Sequence, residues 1–288
     1  MADMQGKTVL ITGANQGIGK ASAEALGAMG AKLVLVCRNA EKAKAASVDI
    51  EKAGAKDVQL IVGNVGSQAE IRRIASEFLA KNDRLDVLLN NAGVLVTERR
   101  DTVDGIEETF AVNHLGYFLL TNLLLDVLKK SAPARVVSVS SEAHRSAKMN
   151  WDDLQMKRDW SSFRAYGQSK LCNILFTREL AHRLEGTRVT ANCLHPGVIA
   201  SGFGHTDGGF ISVILKVAKP FLITPEKGAK TQVYLASSPE VEGVSGKYFD
   251  KSKERTPNKA ALESGAPERL WTISEELTGL RAKAGAAA

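Results

Sequence analysis

Short apolar runs recur along the chain, and longer amphipathic stretches separate them. Thr8-Val9-Leu10-Ile11-Thr12, Leu33-Val34-Leu35-Val36-Cys37 and Val58-Gln59-Leu60-Ile61-Val62 are the first three. Leu85-Asp86-Val87-Leu88-Leu89, Arg135-Val136-Val137-Ser138-Val139-Ser140 and Val189-Thr190-Ala191-Asn192-Cys193-Leu194 follow, with a last strand predicted near Lys247-Tyr248-Phe249. Nearly continuous apolar strands of this length are what a sheet buried on both faces requires. Between them, residues 18–29, 40–53 and 68–81 have helical composition, rich in Ala, Glu, Lys and Leu. Longer helices are predicted at 105–130 and 164–184. The alternation predicts an α/β fold, a doubly wound parallel sheet of about seven strands with helices on both faces.

Two regions break this rhythm. Residues 142–165 show no clear element, and residues 202–224 combine a Gly-rich entry with Phe210-Ile211-Ser212-Val213-Ile214-Leu215. Both follow carboxyl ends of strands, where such sheets bind ligands. They are expected to wall or cover a substrate site, and Phe203, Phe210, Ile211, Ile214 and Leu215 favour an apolar substrate. The second segment is too short to span a bilayer, and contact with a membrane surface is its alternative use. A single domain over 1–288 is expected, with its core at about 7–250, a C-terminal extension over 251–288 and a frayed last few residues.

The composition narrows the class further. With 44% hydrophobic and 24% charged residues in 288, the chain is ordinary for a globular enzyme. The net charge of +6 comes without a basic block or nucleic-acid module, so it is read as serving solubility and an anionic cofactor. Cys37, Cys172 and Cys193 are widely spaced and lie in apolar stretches, which gives no metal site and no disulfide framework. No signal peptide and no apolar run of about 20 residues is visible. A cytoplasmic protein without a membrane span is expected.

Chemistry enters through Tyr166-Gly167-Gln168-Ser169-Lys170. On a helix, Tyr166 and Lys170 share a face, and a lysine cation beside a phenol lowers the phenol pKa from about 10. Tyrosine then becomes a usable proton donor or acceptor near neutrality. Far upstream, Gly13-Ala14-Asn15-Gln16-Gly17-Ile18-Gly19 joins the first strand to the next helix. Glycines there allow close approach of a pyrophosphate to the free amides of a helix N-terminus. The same spacing also suits a tight turn without ligand.

Arg38 ends the second strand, where NAD-preferring enzymes often place a carboxylate for the ribose hydroxyls. An arginine there attracts a 2′-phosphate, with Lys42 one turn on, so NADP(H) is expected over NAD(H). Asn90-Asn91-Ala92-Gly93 gives small residues after strand four, and Asn113 needs partners inside an apolar helix. His114 is expected to be structural. Ser140-Ser141 and His195-Pro196-Gly197-Val198 follow strands five and six. Glu142 and His144 lack the spacing of a hydrolase triad, and no G-x-S-x-G surrounds the serines.

Taken in order, Thr12-Gly13 to Gly19, Asn90 to Gly93, Asn113, Ser141, Tyr166-x3-Lys170 and Pro196-Gly197 resemble the short-chain dehydrogenase/reductase family. The resemblance covers residues 7 to about 250 and is nearest the retinol dehydrogenase-like and carbonyl reductase-like branch. It implies a Rossmann-type fold and a catalytic set of Asn113, Ser141, Tyr166 and Lys170. In that set Tyr166 exchanges a proton with the carbonyl or alcohol oxygen, Lys170 lowers its pKa and holds the nicotinamide ribose, Ser141 positions the carbonyl, and Asn113 holds a relay water. Cofactor contacts are implied for Gly13, Asn15, Gln16, Gly17, Ile18, Gly19, Arg38, Asn64, Val65, Asn91, Ala92, Gly93, Tyr166, Lys170, Pro196, Gly197, Val198 and Ser201. The implied reaction is hydride transfer on an apolar aldehyde, ketone or alcohol. A homodimer or homotetramer pairing the two long helices is also implied. A cofactor-binding sensor, or a dehydratase or epimerase using Tyr166 as base, are the alternatives.

The sequence departs from the family pattern in three places. Asn64 stands after strand three where the family has aspartate, and is expected to reach the adenine through its amide oxygen. Ser201 stands where the family has threonine or serine to contact the carboxamide. The apolar N-terminal segment of membrane-anchored retinol enzymes is missing, which weakens retinol itself as the substrate.

Overall fold

The computed structural model describes residues 3–197 and 223–280. The predicted contacts Val198 and Ser201, most of the 202–224 segment and the last eight residues lie outside them.

Eight strands form one sheet: β1 (Thr8–Thr12), β2 (Lys32–Cys37), β3 (Val58–Val62), β4 (Val87–Asn90), β5 (Ala134–Val139), β6 (Val189–His195), β7 (Tyr248–Asp250) and β8 (Lys253–Arg255). Their order is β3-β2-β1-β4-β5-β6-β7-β8. The first seven are parallel, as their apolar runs predicted, and β8 adds an antiparallel edge. That edge strand is a short, fully exposed Lys253-Glu254-Arg255, too polar to read as a strand from sequence.

Alternate residues of the strands feed two cores. Leu10, Val34 and Val36 face one; Val9, Ile11, Leu33 and Leu35 face the other. Helices α1 (Gly17–Ala28) and α2 (Ala40–Lys52) cover the second face, and α3 (Gln68–Lys81) covers the first. The helix expected over 105–130 is broken up. It starts at α4 (Glu108–Phe110), continues as a π-helical turn at Ala111–Leu115, resumes as α5 (Gly116–Leu123), breaks at Leu124 and ends as α6 (Leu125–Lys130). The long α7 (Ser162–Arg183) matches its prediction.

Two helices were not foreseen, α8 (Pro225–Ser237) and α9 (Ala266–Thr278). Both carry start signals: the Thr224 side chain accepts from Lys227 N, and each helix has proline in its first turn. Gly279, with φ of +65°, ends α9. So the described part of the extension, residues 251–280, packs as a layer on the core. Trp271 of α9 packs edge-on against Phe118 of α5 at 4.8 Å and stacks on Phe176 of α7 at 6.0 Å. Arg183 covers the indole at 4.3 Å. Gly116 to Thr121 are buried all round within this one chain. The chain's own α9 thus packs against α5 and α7, the two helices for which the resemblance implies a partner contact.

Candidate active site

The site lies where the crossovers diverge, at the carboxyl ends of β1 and β4, the position expected for ligands in such sheets. A cavity of about 450 Å3 opens there. Gly13, Asn15, Gln16, Gly17, Ile18 and Gly19 form one wall, and Arg38, Asn64 and Val65 another. Asn91, Ala92, Gly93, Ser141, Tyr166, Lys170, Pro196 and Gly197 complete it. Every predicted site residue that is described lines it except Asn113, which stands fully buried behind. A larger hollow of about 740 Å3, at the opposite ends of the strands around Lys7 and Asp86, contains none of them.

The glycine turn fits an anionic group. Gly13 has φ of +69°, and a Cβ there would meet Ala92 Cα at 2.9 Å. A Cβ on Gly19 would run into the Gly13 carbonyl oxygen. Helices α2, α3 and α8 have side-chain caps from Asn39, Ser67 and Thr224, whereas α1 has no side-chain cap and no acidic residue in its first turn. Its first turn is thus left without a side-chain partner where Gly17, Ile18 and Gly19 line the cavity, an arrangement suited to phosphate binding.

A polar lattice that sequence reasoning missed holds this turn. Thr12 Oγ1 accepts from the amides of Asn91 (2.9 Å) and Ala92 (3.0 Å). Asn91 Nδ2 donates to the Thr12 carbonyl at 2.8 Å, and Asn91 Oδ1 accepts from Gln232 Nε2 at 3.0 Å. Ser22 Oγ donates in turn to Gln232 Oε1 at 2.5 Å. Gln232 belongs to α8, so its part could only be found once that helix was placed. Asn64 has a local partner as well. Its Oδ1 accepts from Gly66 N at 2.9 Å and shapes its own turn, with a second lone pair left for the adenine contact expected of it.

At the other end, the two serines divide their work. Ser140 Oγ donates to the Lys170 carbonyl at 2.7 Å and ties β5 to α7. Ser141 hydrogen-bonds the Tyr166 phenol. His144 secures Ser141: its Nδ1–H donates to the Ser141 carbonyl at 2.6 Å, while Nε2 accepts from Asn258 N at 3.3 Å. That leaves no His144 nitrogen for the Ser141 hydroxyl, so these two residues do not form a hydrolase pair.

Asn113 sits in the π turn, where the irregular backbone aims it inward. Its Oδ1 accepts from Val94 N at 2.7 Å, and its Nδ2 donates to the Val94 carbonyl at 2.9 Å and to Ser169 Oγ at 3.0 Å. It clamps the 93–94 backbone to α7. A Cβ on Gly93 would lie 3.2 Å from Asn113 Oδ1 and 3.4 Å from Lys170 Nζ, so the two groups converge there. His114 is buried, with Nε2 2.9 Å from Ser274 Oγ, and burial pushes its pKa down to about 3; it is structural, as expected.

Burial governs the electrostatics of the pair. It raises the Tyr166 phenol, partly offset by the Ser141 hydrogen bond. It pushes Lys170 down to about 7. The expected lowering of Tyr166 by Lys170 is thus reversed in the cofactor-free protein. Lys170 Nζ donates to the Val139 carbonyl at 3.1 Å, and the dry surroundings disfavour both charges.

Comparison with known proteins agrees with this geometry. Residues 7–208 match the family model for short chain dehydrogenase. The chain belongs to the short-chain dehydrogenase family. It is 45% identical to human retinol dehydrogenase 14, over 96% of this chain and 88% of that protein. Among solved structures, it resembles an uncharacterized protein from Mycobacterium paratuberculosis (TM-score 0.79, 32% identity, 97% and 96% of the two chains). It also resembles the Pseudomonas aeruginosa RhlG/NADP active-site complex (TM-score 0.70, 27% identity, 86% and 95%). The chain is thus an oxidoreductase of the retinol dehydrogenase-like branch of the short-chain dehydrogenases, a family that binds a nicotinamide cofactor.

Proposed function

We propose that this short-chain dehydrogenase is NADP(H)-dependent and interconverts an apolar aldehyde or ketone with its alcohol, retinal-like aldehydes included. The observation that carries the reading is one cavity with Arg38 at one end and the hydrogen-bonded hydroxyls of Ser141 and Tyr166 at the other. The glycine turn at α1 would hold the pyrophosphate, Arg38 the 2′-phosphate and Lys170 the nicotinamide ribose. When bound, the nicotinamide supplies or accepts the hydride. Tyr166 gives its proton to the carbonyl oxygen during reduction, and Ser141 orients that oxygen by a second hydrogen bond. The phenolate so formed is left beside Lys170, whose protonation stabilises it. Oxidation runs the same steps in reverse.

The name of the human relative makes retinoids substrates to test. No helix among the described residues is long and apolar enough to cross a membrane. Cys37, Cys172 and Cys193 are free and buried, which supports the reducing, cytoplasmic setting that we propose.

The test is oxidation of NADPH, followed by its near-ultraviolet absorbance, with retinal and a series of aliphatic and aromatic aldehydes. Turnover with NADPH well above that with NADH is the expected result. Tight NADPH binding without turnover on any carbonyl would favour the sensor alternative instead.

A further inference from the structure

Two aromatic rings flank the Lys170 ammonium. The Tyr166 ring centroid lies 5.5 Å from Nζ and the Tyr117 centroid 5.9 Å. Tyr166 is accounted for by the proposed chemistry; Tyr117 is not. Tyr117 stands on α5 one helical turn after Asn113, which gives both side chains the same facing toward α7. It is 1% exposed, and its hydroxyl has no hydrogen-bond partner among the described residues. A buried hydroxyl without a partner is costly. The part of Tyr117 that meets another functional group is its ring.

We propose that Tyr117 is a positioning residue for Lys170, the face of its ring holding the ammonium in its charged form against the Val139 carbonyl and within reach of Tyr166. An ammonium with one carbonyl acceptor in a dry site is under-solvated, and an aromatic face within about 6 Å returns part of the lost stabilisation. The titratable groups facing Lys170 are Tyr166 on its own helix and Tyr117 on α5. The π turn offers the neutral Asn113, β5 offers the Val139 carbonyl and the loop after β4 offers Gly93. His114 points to Ser274, and burial alone drives the Lys170 shift, with no carboxylate contributing.

The catalytic meaning of this contact rests on the proposed oxidoreductase reading, but its measurement does not. Lys170 can be titrated in the full-length, cofactor-free protein by NMR of 13C-labelled lysine, with Lys170→Met to assign the signal. Tyr117→Leu, which removes the ring, is expected to lower the Lys170 midpoint by about half to one pH unit. Tyr117→Phe, which keeps the ring and the packing, is expected to leave it within about 0.2 unit of wild type. In turnover assays the pH profile of Tyr117→Leu shifts in the same direction while that of Tyr117→Phe does not. An unmoved midpoint in Tyr117→Leu, or an equal shift in Tyr117→Phe, would overturn the proposal. A wild-type protein inert toward every carbonyl would defeat the oxidoreductase reading and leave the NMR comparison decisive for Tyr117.

Discussion

Lys170 Nζ stands 5.5 Å from the centre of the Tyr166 ring while donating to the Val139 carbonyl on β5. The i, i+4 spacing on α7 sets the distance, and the sheet sets the depth. Lys170 is therefore anchored by backbone whatever the state of the phenol, and burial decides its charge.

That burial has a measurable cost. The folded pKa of Lys170, about 7, lies below the unfolded value near 10.4, so the unfolded chain binds an extra proton between those limits. Stability from this residue rises with pH across the window, and the penalty is complete below pH ~7. Lys170→Met should melt roughly 5 °C above wild type at neutral pH, with the difference fading toward pH ~10. Thermal scans across pH check both the sign and the window.

Arg38 is the exposed basic residue at the cavity's far wall. Arg38→Ala should raise the KM for NADPH by roughly 10- to 100-fold and leave that for NADH nearly unchanged, because only the 2′-phosphate loses its partner. Equal effects on both cofactors would remove Arg38 from the specificity role.

Gln232 supports Asn91 from α8 while accepting from Ser22. Gln232→Leu strands both partners in a buried setting, at a cost of about 1–3 kcal/mol. Urea unfolding should record that loss, and cofactor affinity should fall with it, because the displaced Asn91 borders the cavity.

Much of the fold and of the site was legible in the sequence, for identifiable reasons. Seven strands were found because parallel strands buried on both faces are apolar throughout, and the β4 boundary slipped because Asp86, which pairs with Lys7 and Arg84, lies just outside the pairing. The glycine turn, Ser141, Tyr166 and Lys170 were readable because their chemistry restricts residue type and spacing. What stayed hidden depends on long-range contact. The break at Leu124 and the π turn at Asn113 lie within helical composition, and Gln232 reaches Asn91 across 141 positions. The direction of the Tyr166 shift was misread because spacing reports proximity and says nothing of the dryness that opposes charge.

The α9 helix gives a further test. Trp271 packs against both Phe118 of α5 and Phe176 of α7. Light scattering at micromolar concentration is expected to give the mass of a single chain. Trp271→Ala should cost about 3–5 kcal/mol and uncover Phe118 and Phe176. A stable wild-type dimer protecting the amides of α5 and α7 from exchange would contradict this.

The proposed reaction has Tyr166 transfer the proton, with NADPH as the cofactor. The most direct measurement compares wild type with Tyr166→Phe for NADPH oxidation by an apolar aldehyde, with NADPH affinity determined in parallel by fluorescence. Turnover is expected to fall by at least about 100-fold while affinity changes little. Turnover surviving in Tyr166→Phe would contradict the proposal.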